Sequence, residues 1–434
     1  MSELRDEAPG GRAPLFYGWY IVAAAFVVMT VSAGLGFYNL GVYLKAFVAE
    51  RDFAVSVTSA ATASFFISSG LTGLIVGAYI EKHDPRWSVL AGAVIASAAM
   101  FGVRWVEELW QLYAFHILFG AGYAACALLP CTTLVARWFN EKRSIALSYA
   151  STGLSVGGIL LTPLSAKLID IGGIGWAAQW LALIFFIGIV PVSLLIFRPS
   201  PASMGLRPDG AAVSRDEKGN ALPEAAAEGA DFGAAVRSRL FLFMVAAFVF
   251  AMMAQVGTIA HLFRLVATRT GSDDTASLAV ALMAGSSIAG RLIGGQVLTH
   301  LPARPFVLAL TLVQGSALVL YAFAQSEAAL FAVALLFGTS VGNLLMMQPL
   351  IVAEAFGLKA YGRLFSWSQF AMTLGVASGP AMIGFIYEQA GGYQPAFLLM
   401  AAASLTAFFC LLAAGSFDVF RKNGWQAPVK RQIK

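Results

Sequence analysis

Charge is scarce in this chain of 434 residues. Asp, Glu, Lys and Arg make up 12% of it, against about 25% in soluble domains. Apolar residues make up 59%, and the mean hydropathy is +0.76. Such a chain cannot clothe itself in a water-compatible surface, so its solvent is lipid. Cysteine is also rare. Cys126, Cys131 and Cys410 are the only three, all within apolar stretches, which argues against a disulfide framework and for small buried side chains. The four histidines, His83, His116, His261 and His300, are far apart. They form no metal-ligand spacing and no nucleophile–base pair, so neither an enzyme nor a metal or cofactor is expected. The glycine-rich Gly290–Gly295 stretch lies inside an apolar run, where it cannot cradle a nucleotide phosphate. The net charge of +5 and pI near 9.1 come from basic residues in short loops rather than from one basic face, so no nucleic-acid partner is expected. The residues before Leu15 are polar and the apolar run after them is too long for a cleavable signal, so the first helix is expected to be retained.

What is present is a succession of apolar runs, each near the roughly 20 residues needed to cross a bilayer. They occupy Tyr17–Val48, Val57–Ile80, Trp87–Trp105, Leu109–Val135, Ser144–Leu168 and Ala177–Phe197, then Leu240–Ala267, Thr275–Thr299, Phe306–Ala324, Ala328–Ala355, Gly362–Ile386 and Pro395–Ala414. The fold class expected is an all-α membrane protein of twelve transmembrane helices in two six-helix pseudo-symmetric bundles. The bundles would be residues 17–197 and 239–416, with a tail at 1–16, a linker at 198–238 and a tail at 417–434. The linker is polar, and at most a short surface helix is expected near its end. The halves echo each other. Phe139 and Phe356, Lys142 and Lys359, Gly158 and Gly375, Pro163 and Pro380, Gly73 and Gly290, and Gly77 and Gly294 share one offset of 217, and Arg86 and Arg304 differ by 218. Parallel six-helix repeats are an architecture of secondary transporters. Placing the tails and linker in the cytoplasm puts 21 of the 28 Lys and Arg on that side or at inner helix ends, and only Lys45, Arg51, Arg104, Lys167, Arg264 and Arg269 outside. The positive-inside bias therefore predicts cytoplasmic termini.

The remaining cation is Arg291, about nine residues before the inner end of its helix and so about 13 Å deep. A charge near the centre of a ~30 Å hydrocarbon core is costly and usually faces a water-filled cavity. The planar guanidinium suits a carboxylate. The alternative is an arginine bonded to helix carbonyls or to a buried acid, and its helix has no interior Asp or Glu. His261 can bind an anion and carry a proton near neutral pH, or can simply bridge helices. Lys45 either snorkels to the interface or draws anions to an outer mouth. Tyr38, Asn39, Tyr123 and Asn343, with His116, Gln348, Trp367 and Gln369, are polar or amphipathic residues at membrane depth, which line a path or bond across helices. Glycines such as Gly34, Gly36, Gly120, Gly122, Gly153, Gly157 and Gly285 permit close helix approach.

The loop Gly77-Ala-Tyr-Ile-Glu81-Lys82-His-Asp84-Pro-Arg86 resembles a degenerate form of the signature loop of the major facilitator superfamily, with Glu81-Lys82 standing where the family has Asp-Arg. Tyr17-Gly-Trp-Tyr-Ile-Val22, Trp138-Phe-Asn-Glu-Lys142-Arg143-Ser-Ile-Ala146 followed by Gly153 and Gly157-Gly158, and Gly290-Arg291-Leu292 narrow the resemblance to the monocarboxylate transporters and their oxalate–formate antiporter relatives. The resemblance implies a membrane-embedded arginine at Arg291 and a lysine at Lys45, followed here by Ala46. It makes Gly77, Asp84, Arg86, Lys142 and Arg143 residues of conformational change. Many monocarboxylate transporters carry an aspartate one turn before the arginine, implicated in proton coupling, and this chain has Ser287 there. The expectation is a monomeric secondary transporter in a plasma or bacterial inner membrane, moving a monocarboxylate with a proton by alternating access. The alternative is exchange or facilitated movement of a carboxylate or dicarboxylate without protons. A non-transporting sensor is disfavoured by the short linker and tail.

Overall fold

The computed structural model describes residues 15–210 and 229–417. Of the expected tails at 1–16 and 417–434 and the linker at 198–238, residues 1–14, 418–434 and 211–228 lie outside the described residues. The first half holds α1 (Gly18–Leu35), α2 (Leu40–Arg51), α3 (Val55–Lys82), α4 (Pro85–Gly102), α5 (Leu109–Cys126), α6 (Leu128–Trp138) and α7 (Arg143–Leu195). A five-residue helix, α8 (Phe232–Val236), precedes the second half. That half consists of α9 (Arg239–Thr270), α10 (Asp273–Val297), α11 (Ala303–Phe323), α12 (Glu327–Phe356), α13 (Tyr361–Ala390) and α14 (Tyr393–Ala414).

Among the described residues, eleven helical stretches are long and apolar enough to cross a membrane. One of them, α7, has 53 residues and would be about 80 Å long if straight. It is not straight. Gly173 sits at φ 75°, ψ 168°, in a region open only to glycine. Both ends of α7 return to the start of α1: the Trp19 and Tyr149 rings are 6.3 Å apart, and Tyr17 Oη donates to the Ile196 carbonyl at 2.9 Å. At the tip, Glu50 of α2 accepts the Ile174 N–H at 2.8 Å. α7 is thus a hairpin of two crossings, which brings the total to twelve. The sequence reading separated Ser144–Leu168 from Ala177–Phe197 by a loop. The structure instead keeps that segment helical and turns at one glycine.

Two other expected spans are interrupted. α1 and α2 form one crossing broken at residues 36–39, and α5 and α6 form another broken at Ala127. The repeat holds crossing for crossing: α6 and α12 end at Trp138 and Phe356, and Lys142 and Lys359 sit in the connections that follow. In each half the equivalent helices meet through glycines. A Cβ on Gly157 would strike the Thr30 carbonyl of α1, and one on Gly375 would strike the Val249 carbonyl of α9. Such seams gain dispersion energy from backbone contact, the main attraction left between helices in lipid.

Candidate functional site

The site is built on the two interruptions of the first half. Gly36 leaves helical geometry at φ −91°, ψ −93°, and the freed Leu35 carbonyl needs a donor, as there is no water in a bilayer core. Tyr43 Oη supplies it at 2.9 Å and itself accepts Asn39 Nδ2 at 3.2 Å. Asn39 Nδ2 also donates to Ser165 Oγ on α7. At the other break, the Cys126 thiol donates to the Tyr123 carbonyl at 3.7 Å and the Cys131 thiol to the Cys126 carbonyl at 3.6 Å. The breaks touch: a Cβ on Gly36 would lie 2.8 Å from the Tyr123 ring. Tyr38, carried by the first break, lies with its ring 3.0 Å from where a Cβ on Gly158 would sit. Neither the Tyr38 nor the Tyr123 hydroxyl has a hydrogen-bond partner among the described residues.

Arg291 comes from the other half. It is 1% exposed. Its Nε donates to the Gly342 carbonyl of α12 at 2.7 Å, and its Nη1 donates across the halves to the Ser151 carbonyl of α7. Ser148 Oγ returns a bond to the Arg291 carbonyl at 2.6 Å. Two of its five N–H donors are used in these bonds, and Nη2 has no partner among the described residues. Arg291 has no ion pair among the described residues. Asn343 braces the same helix pair, donating to the Gly290 carbonyl at 2.8 Å. Arg291 thus lies six residues, about 9 Å, from the C-terminal end of α10, with Tyr38 two turns further along α7 at Gly158 and Tyr123 beside the Gly36 break.

The halves meet along two seams, α7 against α10 and α3 against α13. In the second, Gly77 packs on Gly362 and Ser366, and Gly70 on Phe370. At its end, Glu81 Oε2 pairs with Arg363 Nε at 2.6 Å, and Glu81 Oε1 accepts the Arg363 N–H at 3.1 Å. These contacts all lie between mid-depth and the face where the chain begins, here termed the termini face. Tyr38, at mid-depth, is 38% exposed. We infer from this a cleft that enters from the far face and reaches Tyr38, with the buried Arg291 beneath it.

The Major Facilitator Superfamily profile matches residues 26–300 and 257–431. The chain belongs to the Major Facilitator Superfamily. It is a transporter, not an enzyme. An MFS transporter of Aspergillus flavus, asaE, is 26% identical over 327 residues, 74% of this chain and 68% of the relative. Monocarboxylate transporter 13 of Bos taurus is 24% identical over 431 residues, 96% of this chain and 92% of the relative. The crystal structure of the superfamily transporter FucP in its outward conformation superposes with a TM-score of 0.69, at 16% identity, over 93% of this chain and all of FucP.

The superfamily loop occupies the termini face. Asp84 caps α4 through the Arg86 N–H at 2.9 Å and pairs with Arg86 Nε at 3.4 Å. Buried Arg143 covers the end of α6, its Nε donating to the Phe139 carbonyl at 3.0 Å. The Lys142, Glu141 and Asn140 N–H groups all bind Asp209 of the linker, at 3.2, 2.7 and 2.8 Å. Other candidates stand apart from Arg291. His261 Nε2 faces the Pro380 carbonyl at 3.1 Å and Nδ1 the Tyr393 hydroxyl at 3.4 Å. It lies nine residues from the far end of α9, and Arg291 eighteen from that of α10, a depth difference of about 13 Å. Lys45 is exposed on α2, with no ion pair among the described residues. Asn39 is fully buried and engaged in the α2–α7 contact. Sequence reasoning named Glu81 but missed its partner Arg363, 282 positions away, and missed Asp209. A signal for Arg363 existed: it stands four residues after Lys359, the repeat partner of Lys142.

Proposed function

We propose that this transporter carries an organic anion, a monocarboxylate, by alternating access, with Arg291 gripping the carboxylate. One observation supports this above the others. The Arg291 guanidinium is buried inside the membrane span, bonded to carbonyls alone and with unused N–H donors, two turns along α7 from Tyr38, whose hydroxyl is unpartnered among the described residues. A buried cation of this kind is stabilised most by an anion. A carboxylate arriving from the far face meets Nη2 and the Tyr38 hydroxyl. Because Arg291 also ties α10 to the Ser151 carbonyl of α7, drawing the guanidinium towards substrate loosens that seam. A hydrogen bond of a charged group contributes roughly 1.5–3 kcal/mol, so its exchange shifts the conformational balance about 10- to 100-fold. The excess of Lys and Arg on the termini face supports a cytoplasmic assignment for it, and the cleft then opens outward.

A second reading, obligatory anion exchange, is favoured by Ser287. It is buried, its hydroxyl lacks a partner, and it stands where the resembling family often has a proton-carrying aspartate. A site whose positive charge has no titratable acid beside it returns across the membrane most readily with an anion bound. The test is uptake of labelled carboxylate into proteoliposomes, with and without an inward proton gradient or an internal anion, for wild type and Arg291→Lys. Gradient-driven uptake lost in Arg291→Lys supports symport. Uptake that requires internal anion supports exchange. Normal uptake by folded Arg291→Lys and Arg291→Ala removes Arg291 from the mechanism.

A further inference from the structure

We propose that the anion carries an aromatic ring, which lies on a wall of rings at the cleft floor while its carboxylate meets Arg291. The proposal rests on the carboxylate reading above and adds the chemistry of the substrate's body.

The wall follows from helical spacing. Gly77 and Gly70, seven residues apart on α3, both face α13 in the other half. Phe66 lies four residues further towards the far face and therefore on the same side of α3. Phe66 is half-buried and lies beyond the Gly70–Phe370 pair, on the far-face side of that contact. Phe37, released from helix by the Gly36 break, meets Phe66 edge-on at 6.1 Å and Tyr38 edge-on at 5.2 Å. Tyr38 packs on Gly158 of α7, two turns or about 10 Å along the same helix face from Ser151, which holds Arg291. A continuous row of rings thus runs from the α7–α10 seam to the α3–α13 seam, Tyr38 to Phe37 to Phe66, with Phe370 facing it from the second half. Phe65 backs the row, 5.3 Å from Phe66 and 5.3 Å from Tyr123.

The polarity of this floor is divided. Arg291 and the Tyr38 hydroxyl lie towards the α7 end, Tyr123 adjoins Phe65 behind the row, and rings fill the rest. A small hydroxy acid would leave that wall wet and apolar. A ring would cover it in edge or offset contact, the arrangements aromatic pairs prefer. Burying a phenyl-sized group there makes an aromatic acid bind roughly 10- to 100-fold more tightly than a two- or three-carbon acid.

Thermal unfolding of the purified full chain in detergent, titrated with phenylacetate, cyclohexylacetate, lactate and acetate, gives their relative affinities, since a ligand bound to the folded state raises Tm. The expected order is phenylacetate, then cyclohexylacetate, then lactate and acetate. Phe66→Ala should weaken phenylacetate about tenfold and leave lactate within about twofold, and Phe66→Leu, which keeps apolar volume, should bring phenylacetate down to the cyclohexylacetate level. A merely structural role for Phe66 would weaken every acid alike and overturn the proposal. Equal affinities across the series would also overturn it, leaving the carboxylate reading in place provided that Arg291→Lys abolishes all four. If none of the acids binds wild type, the carboxylate reading itself falls, and this inference with it.

Discussion

The two halves share a fold and divide the work. In the first, two crossings are interrupted, at Gly36 and at Ala127, and the breaks deliver Tyr38, Phe37 and Tyr123 to the cleft. Their repeat counterparts, α9 and α12, run unbroken for 32 and 30 residues. The second half instead supplies Arg291, the most fully buried charge among the described residues. The lesson is that a duplicated architecture fixes the pairing of crossings while leaving each copy free to specialise: one copy bends its backbone to present side chains, the other keeps straight helices and spends its irregularity on a buried cation.

That comparison can be broken or sharpened by substitution. The largest effect is expected at the seams that the halves have in common. Gly157→Leu in the first half and Gly375→Leu in the second both force a side chain into backbone. Overpacking costs about 1–3 kcal/mol even where neighbours can yield, and carbonyls yield little, so neither variant should elute as folded, monodisperse protein on size-exclusion chromatography. Survival of one alone would show that the seams are not equivalent. Next comes the tip of the α7 hairpin, whose counterpart in the second half turns through Gly391 and Gly392 between α13 and α14. Gly173→Ala places a Cβ at φ 75°, ψ 168°, against Glu50 at 2.8 Å, and should lower stability by about 1–3 kcal/mol in thermal unfolding. Retained Tm would mean that the tip relaxes freely.

A smaller effect is expected between the halves. Glu81→Gln removes the charge from the pair with Arg363, whose side chain is 42% exposed against 8% for Glu81. Solvent screening reduces its value to about 1 kcal/mol, or roughly fivefold in favour of opening the termini face. A cysteine at Tyr38→Cys, labelled from the far face, should then react about fivefold less at low substrate. Unchanged labelling would show that Gly77, Gly362 and Arg291 hold the closure by themselves. The smallest effect belongs to Asp231 and Lys359, paired at 2.7 Å on the surface. The ammonium beside Asp231 holds its carboxyl below the usual range. The sign follows: any stabilisation is present at neutral pH and is lost as pH falls through that lowered value. Both groups are exposed, so Asp231→Asn should leave Tm at neutral pH within measurement scatter. A clear drop would identify the linker as a structural strut of the second half.

Much of this was legible in the sequence, because lipid leaves few options. Long apolar runs mark the crossings, and the spacing of Phe139, Lys142 and Pro163 from Phe356, Lys359 and Pro380 marks the repeat. Arg291 announces itself by depth. Its partners do not, since the Ser151 and Gly342 carbonyls lie 140 and 51 positions away and any residue type has a carbonyl to offer. Tyr38 and Tyr123 were visible as amphipathic residues at depth, yet their meeting depends on two backbone breaks that no periodicity encodes. Asn39 and His261 carry the same polar signal and are taken up by helix packing, one with Tyr43 and Ser165, the other with Pro380 and Tyr393. Depth identifies a costly group, whereas only the fold says whether a neighbour already satisfies it.

The linker is tied at both ends. Asp209 is chelated by the amides at the start of α7, and Ala230 donates to the Phe356 carbonyl at 2.8 Å, so each half holds its own end of the connection. Between these ties the chain can reach at most about 3.5 Å per residue, some 60–70 Å for the intervening stretch. That exceeds the displacement of any rocking motion around a ~30 Å membrane core. The covalent link is therefore long enough to span that displacement, and it raises the effective concentration of one half beside the other; the two halves made as separate polypeptides should still find each other in a membrane.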